Sequence, residues 1–416
     1  MRDVRMQGFA KRTDVEDVER LLERLVQPLP PEPVPLLGCS GRVLSEDVVA
    51  AVDVPGFARS AMDGYAVRGE DTFGASAYNR LSFELCGEAL PGRPFSGKLA
   101  PGQAIRIMTG APVPDGADAV VMAEFCEERD ERVFVSEAVG PQRNVGAVGE
   151  DIRRGDVVLR AGRRVRPQDA GLLASIGCAE VRCVRRPRVR LVITGDELLP
   201  AGSLPYGCRI VDSNSVMLRA LVARDGGELL PFELLRDEPE LIRAALECKD
   251  GDVILLSGGS SVGQEDHAPR LVAELGSLDV HGVSMRPSSP AGFGRIGERF
   301  VFLLPGNPVS CLCAYEFFAG PSIRALGGRS RKWPHARVRV PLARKIASAI
   351  GRTDYVRVVI EGGRAAPIAT SGASILSSTV RASGAVIVPR ELEGMPEGAE
   401  VDVLLYDDEL AVGGVS

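Results

Sequence analysis

Glycine, serine and acid crowd into one short stretch, Gly258-Gly259-Ser260-Ser261 with Glu265 and Asp266 close behind, directly after the apolar run DVILLS. The backbone N–H groups and hydroxyls of such a turn suit an anion. The acids would repel that anion unless a cation lay between, and carboxylate oxygens are the hard ligands Mg²⁺ takes. Three further strand-like runs end in similar chemistry: VRLVIT in Gly195, Asp196 and Glu197; DVHGVSM in Arg286 and a serine-containing loop up to Pro290; FVFLL in Gly306, Asn307 and Ser310. Any one such turn is ordinary loop composition. Together they predict phosphate or oxyanion handling with a divalent cation. Glu197 and Asp266 are the expected Mg²⁺ ligands, and Gly258, Gly259, Ser261, Gly306, Asn307 and Ser310 the expected anion-binding groups. Taken singly, Ser310 reads equally well as a helix N-cap, and Glu197 as an exposed turn acid.

The elements that must position these residues are legible as alternation. Between residues 188 and 326, strand-like VRLVIT, ELLPFELL, DVILLS, DVHGVSM and FVFLLP alternate with helical SNSVMLRALVARDG, DEPELIRAALEC, HAPRLVAELG and PVSCLCAYEFFAGPSIRAL. This predicts a doubly wound, parallel α/β sheet, whose ligands bind beyond the carboxyl ends of the strands. Ser213 and Asn214, where the first of these helices begins, join the expected substrate-binding set, as does Pro290. On the N-terminal side, residues 14–26 carry an apolar helical stripe and the proline-rich 27–35 must run extended. From 51 to 141, short runs such as LSFELCG, AIRIM, AVVMAE and RVFVSE read as a small β-rich domain, and β-like RVRVPL, YVRVVIE, AVIVP and EVDVLLY follow the polar linker GGRSRKWPHA.

Composition closes off several functional classes. A formal charge of −6 implies no large basic face for nucleic acid. No apolar run reaches membrane-spanning length, and the N-terminus lacks the apolar stretch of a secretory signal, so a cytoplasmic chain is expected. The nine cysteines form no CxxC pair and read as reduced, buried thiols. With only His267, His281 and His335, a histidine metal site or a Ser-His-Asp triad has little material.

Six motifs in order, SAMDGYA, IMTGAPVPDGADAVVMAE, GEDIRRGD, ITGDEL, SGGSSVGQEDH and LPGNPVS, resemble the molybdopterin molybdenumtransferase family, to which the C-terminal domain of gephyrin is related. The resemblance runs from about residue 14 to 408. It implies an elongated, L-shaped protomer in a homodimer. One part is built from 14–50 with 142–182; a β-rich domain is inserted at 51–141; the α/β domain spans 183–328; and a C-terminal β barrel spans 333–408. The implied reaction binds adenylylated molybdopterin and molybdate, hydrolyses the adenylate with Mg²⁺, inserts molybdenum into the dithiolene and releases AMP. Position by position, Asp266 and Glu197 match the family's metal-site acids. Asp63, Thr109 and Asp151 match functional positions reaching a site shared across the dimer. Ser261, Ser310, Arg352 and Ser374 match groups that contact molybdate.

One loop departs from this pattern. Where the family reads M-K-P-G-K-P, this chain has Met285-Arg286-Pro287-Ser288-Ser289-Pro290, so one lysine becomes arginine and the other serine. Losing a charge-assisted contact to an oxyanion costs about 1.5–3 kcal/mol. Two readings of different classes therefore follow: a transferase completing molybdenum cofactor synthesis, and a gephyrin-like scaffold dimer binding a receptor or cytoskeletal protein.

Overall fold

The computed structural model describes residues 12–259, 267–369 and 372–407. The chain divides into two compact units, one drawn from residues 33–40 and 44–183, the other from 1–32, 41–43 and 184–416.

The first unit is organised by a six-stranded sheet in the order Ala119–Met122, Gly64–Val67, Gln103–Ile107, Leu81–Ala89, Arg132–Val135, Cys126–Arg129. Val67, Ala104, Ala119, Val121, Val133 and Val135 are all fully buried in one of its cores. A helix, Pro167–Ser175, carries Leu173 into a separate core with Leu44, Val165 and Cys183.

In the second unit the helical stripe forms Val15–Leu25 and buries Val15, Val18 and Leu22. The alternating region builds β1 (Arg188–Thr194), α1 (Asn214–Asp225), α2 (Pro239–Glu247), β2 (Val253–Ser257), α3 (Ala268–Leu275), β3 (Ser277–His281), β4 (Met285–Arg286), β5 (Gly292–Ile296), β6 (Arg299–Leu304), α4 (Pro308–Ala314) and α5 (Gly320–Leu326). Gly226, at φ 86°, ends α1 in the left-handed cap that glycine accepts without a Cβ clash. Strands β1, β2 and β6 run parallel, with Ile193 beside Ser257 and Ser257 beside Leu304, so their carboxyl ends share one rim. Every residue of β2 is buried, as a central strand covered on both faces requires.

The sheet is mixed rather than wholly parallel. β5 pairs antiparallel with both β6 and β3. Two reversals restore the direction of β3, so its carboxyl end still reaches the ligand rim. The run DVHGVSM is split: its first part lies in β3, while Met285 and Arg286 leave as β4 to pair with the C-terminal sheet. The run ELLPFELL is broken at Pro231 into two short strands, Glu228–Leu229 and Glu233–Leu235, both parallel to β1. A π-helical segment, Tyr315–Ala319, joins α4 to α5 just ahead of Pro321. Proline has no N–H to donate, and a wider turn absorbs the defect.

The C-terminal sheet comprises β4, β7 (Arg337–Pro341), β8 (Thr353–Glu361), β9 (Arg364–Ala369), β10 (Gly384–Val388) and β11 (Glu400–Leu405), in the order β4-β8-β10-β11-β7 with β9 on β8. A bridge between Leu342 and Ala365 brings the chain after β7 against β9. None of the nine cysteines forms a disulfide. Only Cys39, Cys183, Cys311 and Cys313 are buried, while Cys208 and Cys248 are exposed because they fall outside the apolar strands. No helix among the described residues is long and apolar enough to cross a membrane.

Candidate active site

Beyond the shared rim lies a cleft of about 440 Å³. Nine residues expected from the sequence line it: Glu197, Ser213, Asn214, Gly258, Gly259, Pro290, Gly306, Asn307 and Ser374. Asn214 ties the rim together, donating its amide to Ser257 Oγ at 3.0 Å and to the Gly306 carbonyl at 2.8 Å. Its Oδ1 is buried with no partner among the described residues. The same is true of Thr194 Oγ1, Asp212 Oδ2 and Asp237 Oδ1, all from residues that line the cleft. Buried polar atoms cost free energy unless paired, so the wall of this cleft is polar and incompletely satisfied by the described residues. Gly258 is obligatory: its φ is 106°, and a Cβ would stand 2.2 Å from the Thr194 carbonyl oxygen.

A second cavity, of about 340 Å³, adjoins the first and shares Pro290, Pro305 and Asn307 with it. Arg286, Ser288, Ser289, Ser310 and Arg357 line it. Arg286 donates from Nη2 to Asp354 Oδ2 at 2.5 Å, leaving a buried Nε without a partner among the described residues. Asp354, itself fully buried, also accepts from Ser348 Oγ at 2.9 Å and Arg352 Nε at 3.0 Å. Arg352 is thus held by Asp354 and lies outside both cavity walls, whereas Arg357, only 2% exposed on β8, stands in the wall. The two arginines are five residues apart in GRTDYVR, and the one expected from the sequence, Arg352, is not among the residues lining this cavity. Ser310 lies inside α4, and Asn307 takes the N-cap place. Arginine with hydroxyls in a half-enclosed cavity is chemistry suited to a tetrahedral oxyanion.

In the other unit, Thr109 donates both its backbone N–H and its hydroxyl to Asp63 Oδ1, each at 2.7 Å. The backbone bond first, then the hydroxyl, holds this exposed carboxyl below its ordinary range. Asp151 is exposed, with its N–H bonded to the Val54 carbonyl. Ser261 and Asp266 lie outside the described residues. Among the described residues, no three His, Cys, Asp or Glu side chains converge as a metal site.

Residues 13–177 match the profile of the MoeA N-terminal region (domain I and II), 190–325 that of the MoCF_biosynth molybdopterin binding domain, and 339–406 that of the MoeA C-terminal region (domain IV). The molybdopterin molybdenumtransferase of Haemophilus influenzae is 32% identical over 394 residues, 92% of this chain and 96% of that protein. This chain belongs to the molybdopterin molybdenumtransferase family. The same-named protein of Staphylococcus aureus (strain COL) is 30% identical over 412 residues, 95% of this chain and 96% of that protein. A crystal structure described as the molybdopterin biosynthesis moea protein from Pyrococcus horikosii superimposes with a TM-score of 0.82. It is 32% identical and covers 95% of this chain and 100% of that one.

Ser288 stands at φ 87°, a left-handed conformation that costs a residue with a Cβ about 1–2 kcal/mol. Sequence reading missed Arg357, Asp212 and Asp237 as lining residues. For Asp237 a signal existed, since it follows a strand that ends on the same side of β1 as the chosen residues. For Arg357 none did.

Proposed function

We propose that this chain inserts molybdenum into adenylylated molybdopterin, with hydrolysis of the adenylate and release of AMP. The observation that carries this reading is the pair of adjoining cavities. One is lined by acids and rim glycines, the other by two arginines and three serines, and they meet at Pro290, Pro305 and Asn307. A molecule that is both a nucleotide and a receptor for an oxyanion needs two such compartments within reach of each other.

In this reading the 440 Å³ cleft holds the adenylylated pterin, and Asn214 and the rim glycines orient its phosphates. The 340 Å³ cavity holds molybdate between Arg286, Arg357 and Ser310. Partial enclosure keeps bulk water from the oxyanion while it is handed to the dithiolene. Hydrolysis is the attack of water on the phosphorus of the phosphoanhydride. The bridging P–O bond breaks, and AMP leaves with that electron pair. Mg²⁺ keeps several waters and takes only one or two carboxylates, so Glu197 with Asp266 suffices to hold it, and it would neutralise charge on the phosphoanhydride. The carboxylate residues Glu197, Asp212 and Asp237 in the cleft lining make it chemically suited to such a cation. The reading includes a homodimer in which Asp63, Thr109 and Asp151 serve the same reaction. Glu197→Gln and Asp266→Ala test it: each should lower Mg²⁺-dependent AMP release at least a hundredfold while the fold persists. Unchanged turnover in both would sink the assignment.

A further inference from the structure

Asn214 lines the 440 Å³ cleft, yet its side chain has no donor left for a ligand. A carboxamide carries two N–H donors. One goes to Ser257 Oγ at 3.0 Å and the other to the Gly306 carbonyl at 2.8 Å. The remaining polar atom, Oδ1, is buried away from the cleft space, and the residue as a whole is only 6% exposed. The start of α1 holds this side chain in place, because the Ser215 N–H donates to Asp212 Oδ1 at 3.0 Å and closes the first turn.

Asn214 joins two glycine turns on one rim. Gly258 and Gly259 leave β2 at φ 106° and 55°, and Gly306 follows β6 with nothing nearer than 3.9 Å to an added Cβ. Glycine has the widest choice of backbone conformation, so the spacing of such turns must be set from outside. The direct backbone link between them is weak: the Gly258 N–H reaches the Leu304 carbonyl at a long 3.3 Å. We propose that Asn214 is a positioning residue. It sets the separation of the two turns that the transferase reading assigns to the substrate's phosphates, and it touches no substrate atom itself. The proposal rests on that reading. Backbone groups stabilise developing charge best when they are held in place before the reaction, which is what a strut across the rim supplies. Aspartate at 214 would set oxygen lone pairs against the Gly306 carbonyl, whereas alanine leaves that carbonyl merely unmet.

The test compares the full wild-type chain with Asn214→Ala, Asn214→Asp and Ser257→Ala. It reads AMP release from adenylylated molybdopterin and, by NMR, hydrogen exchange of two amides. One is the Gly258 N–H; the other is the Cys311 N–H, which donates to the Asn307 carbonyl at 2.9 Å and closes the second turn. Asn214→Ala should lower kcat about ten- to a hundredfold and leave KM within about threefold. Exchange of both amides should quicken about tenfold, while that of Leu255 in mid-strand keeps its rate. Asn214→Asp should fall below Asn214→Ala, and Ser257→Ala, which keeps the Gly306 bond, should lose least. A residue that merely packs would rank the two the other way, since aspartate is nearly isosteric with asparagine. Wild-type kcat in Asn214→Ala, a kcat loss without quicker exchange, or Asn214→Asp at or above Asn214→Ala would each overturn the proposal. A raised KM at wild-type kcat would also overturn it, making Asn214 a substrate contact. A wild-type chain that releases no AMP would sink the transferase reading, and unchanged exchange of both amides in Asn214→Ala would then overturn the strut by itself.

Discussion

Arg286 and Asp354 meet at 2.5 Å across 68 residues of sequence, one on the strand that leaves the α/β region and the other on the neighbouring strand of the C-terminal sheet. That contact fixes a cavity-lining arginine to a fully buried carboxylate. Asp354 balances two guanidinium groups, Arg286 and Arg352. Removing one partner of a fully buried pair costs about 3–5 kcal/mol, and the loss here is smaller because both guanidinium groups are 32% exposed and keep contact with water. Asp354→Asn should therefore lower the unfolding free energy read from urea denaturation, and Arg352→Ala should lower it by clearly less, since Arg286 and Ser348 still serve Asp354.

The neighbouring arginines should separate in function. Arg357→Lys keeps the charge but loses the planar fork. It should raise the half-saturating molybdate concentration about ten- to a hundredfold. Arg352→Ala should stay within a few fold of wild type in the same titration of AMP release against molybdate. Equal effects of the two substitutions would contradict the placement of Arg357 in the cavity wall.

Gly258→Ala should fail by geometry. The added Cβ meets the Thr194 carbonyl oxygen at 2.2 Å, and φ 106° is closed to an L side chain. A cost of about 2–4 kcal/mol is expected from clash and strain together, read as a lower melting temperature. Gly306→Ala should cost far less, because its Cβ finds nothing nearer than 3.9 Å.

Acid should loosen the unit around Glu316. Burial pushes this carboxyl up, but hydrogen bonds from His335 and Arg224 outweigh burial and hold it at about 2, against an ordinary 4.5. A depressed carboxyl contributes its full stability above the unfolded value and loses it as pH falls through the folded one. Melting temperature should therefore drop between about pH 4.5 and 2, and the drop should be shallower in Glu316→Gln. Parallel curves for the two proteins would refute the assignment.

The strand ends were readable because parallel strands demand apolar runs, and glycine, serine and acid punctuate them. Nine expected residues consequently line one cleft. β5 was unreadable for the opposite reason. Its glycines suggested a loop, yet a Cβ on Gly294 would meet the Ser277 carbonyl oxygen at 2.3 Å, so glycine there permits close strand pairing. Arg357 hid in YVRVVIE, where alternation suggests a solvent-facing arginine. Residues 353–358 are all buried, because that strand is covered on both faces. Ser288 gave no sign of its φ, since serine is a poor marker of left-handed backbone.

The account stands most directly on one assay: AMP release by the purified chain given adenylylated molybdopterin and Mg²⁺, with and without molybdate, scored against active cofactor formed. Molybdate-dependent release, with one AMP for each molybdenum inserted, is the predicted result. Binding of the nucleotide without molybdate-dependent turnover would contradict it.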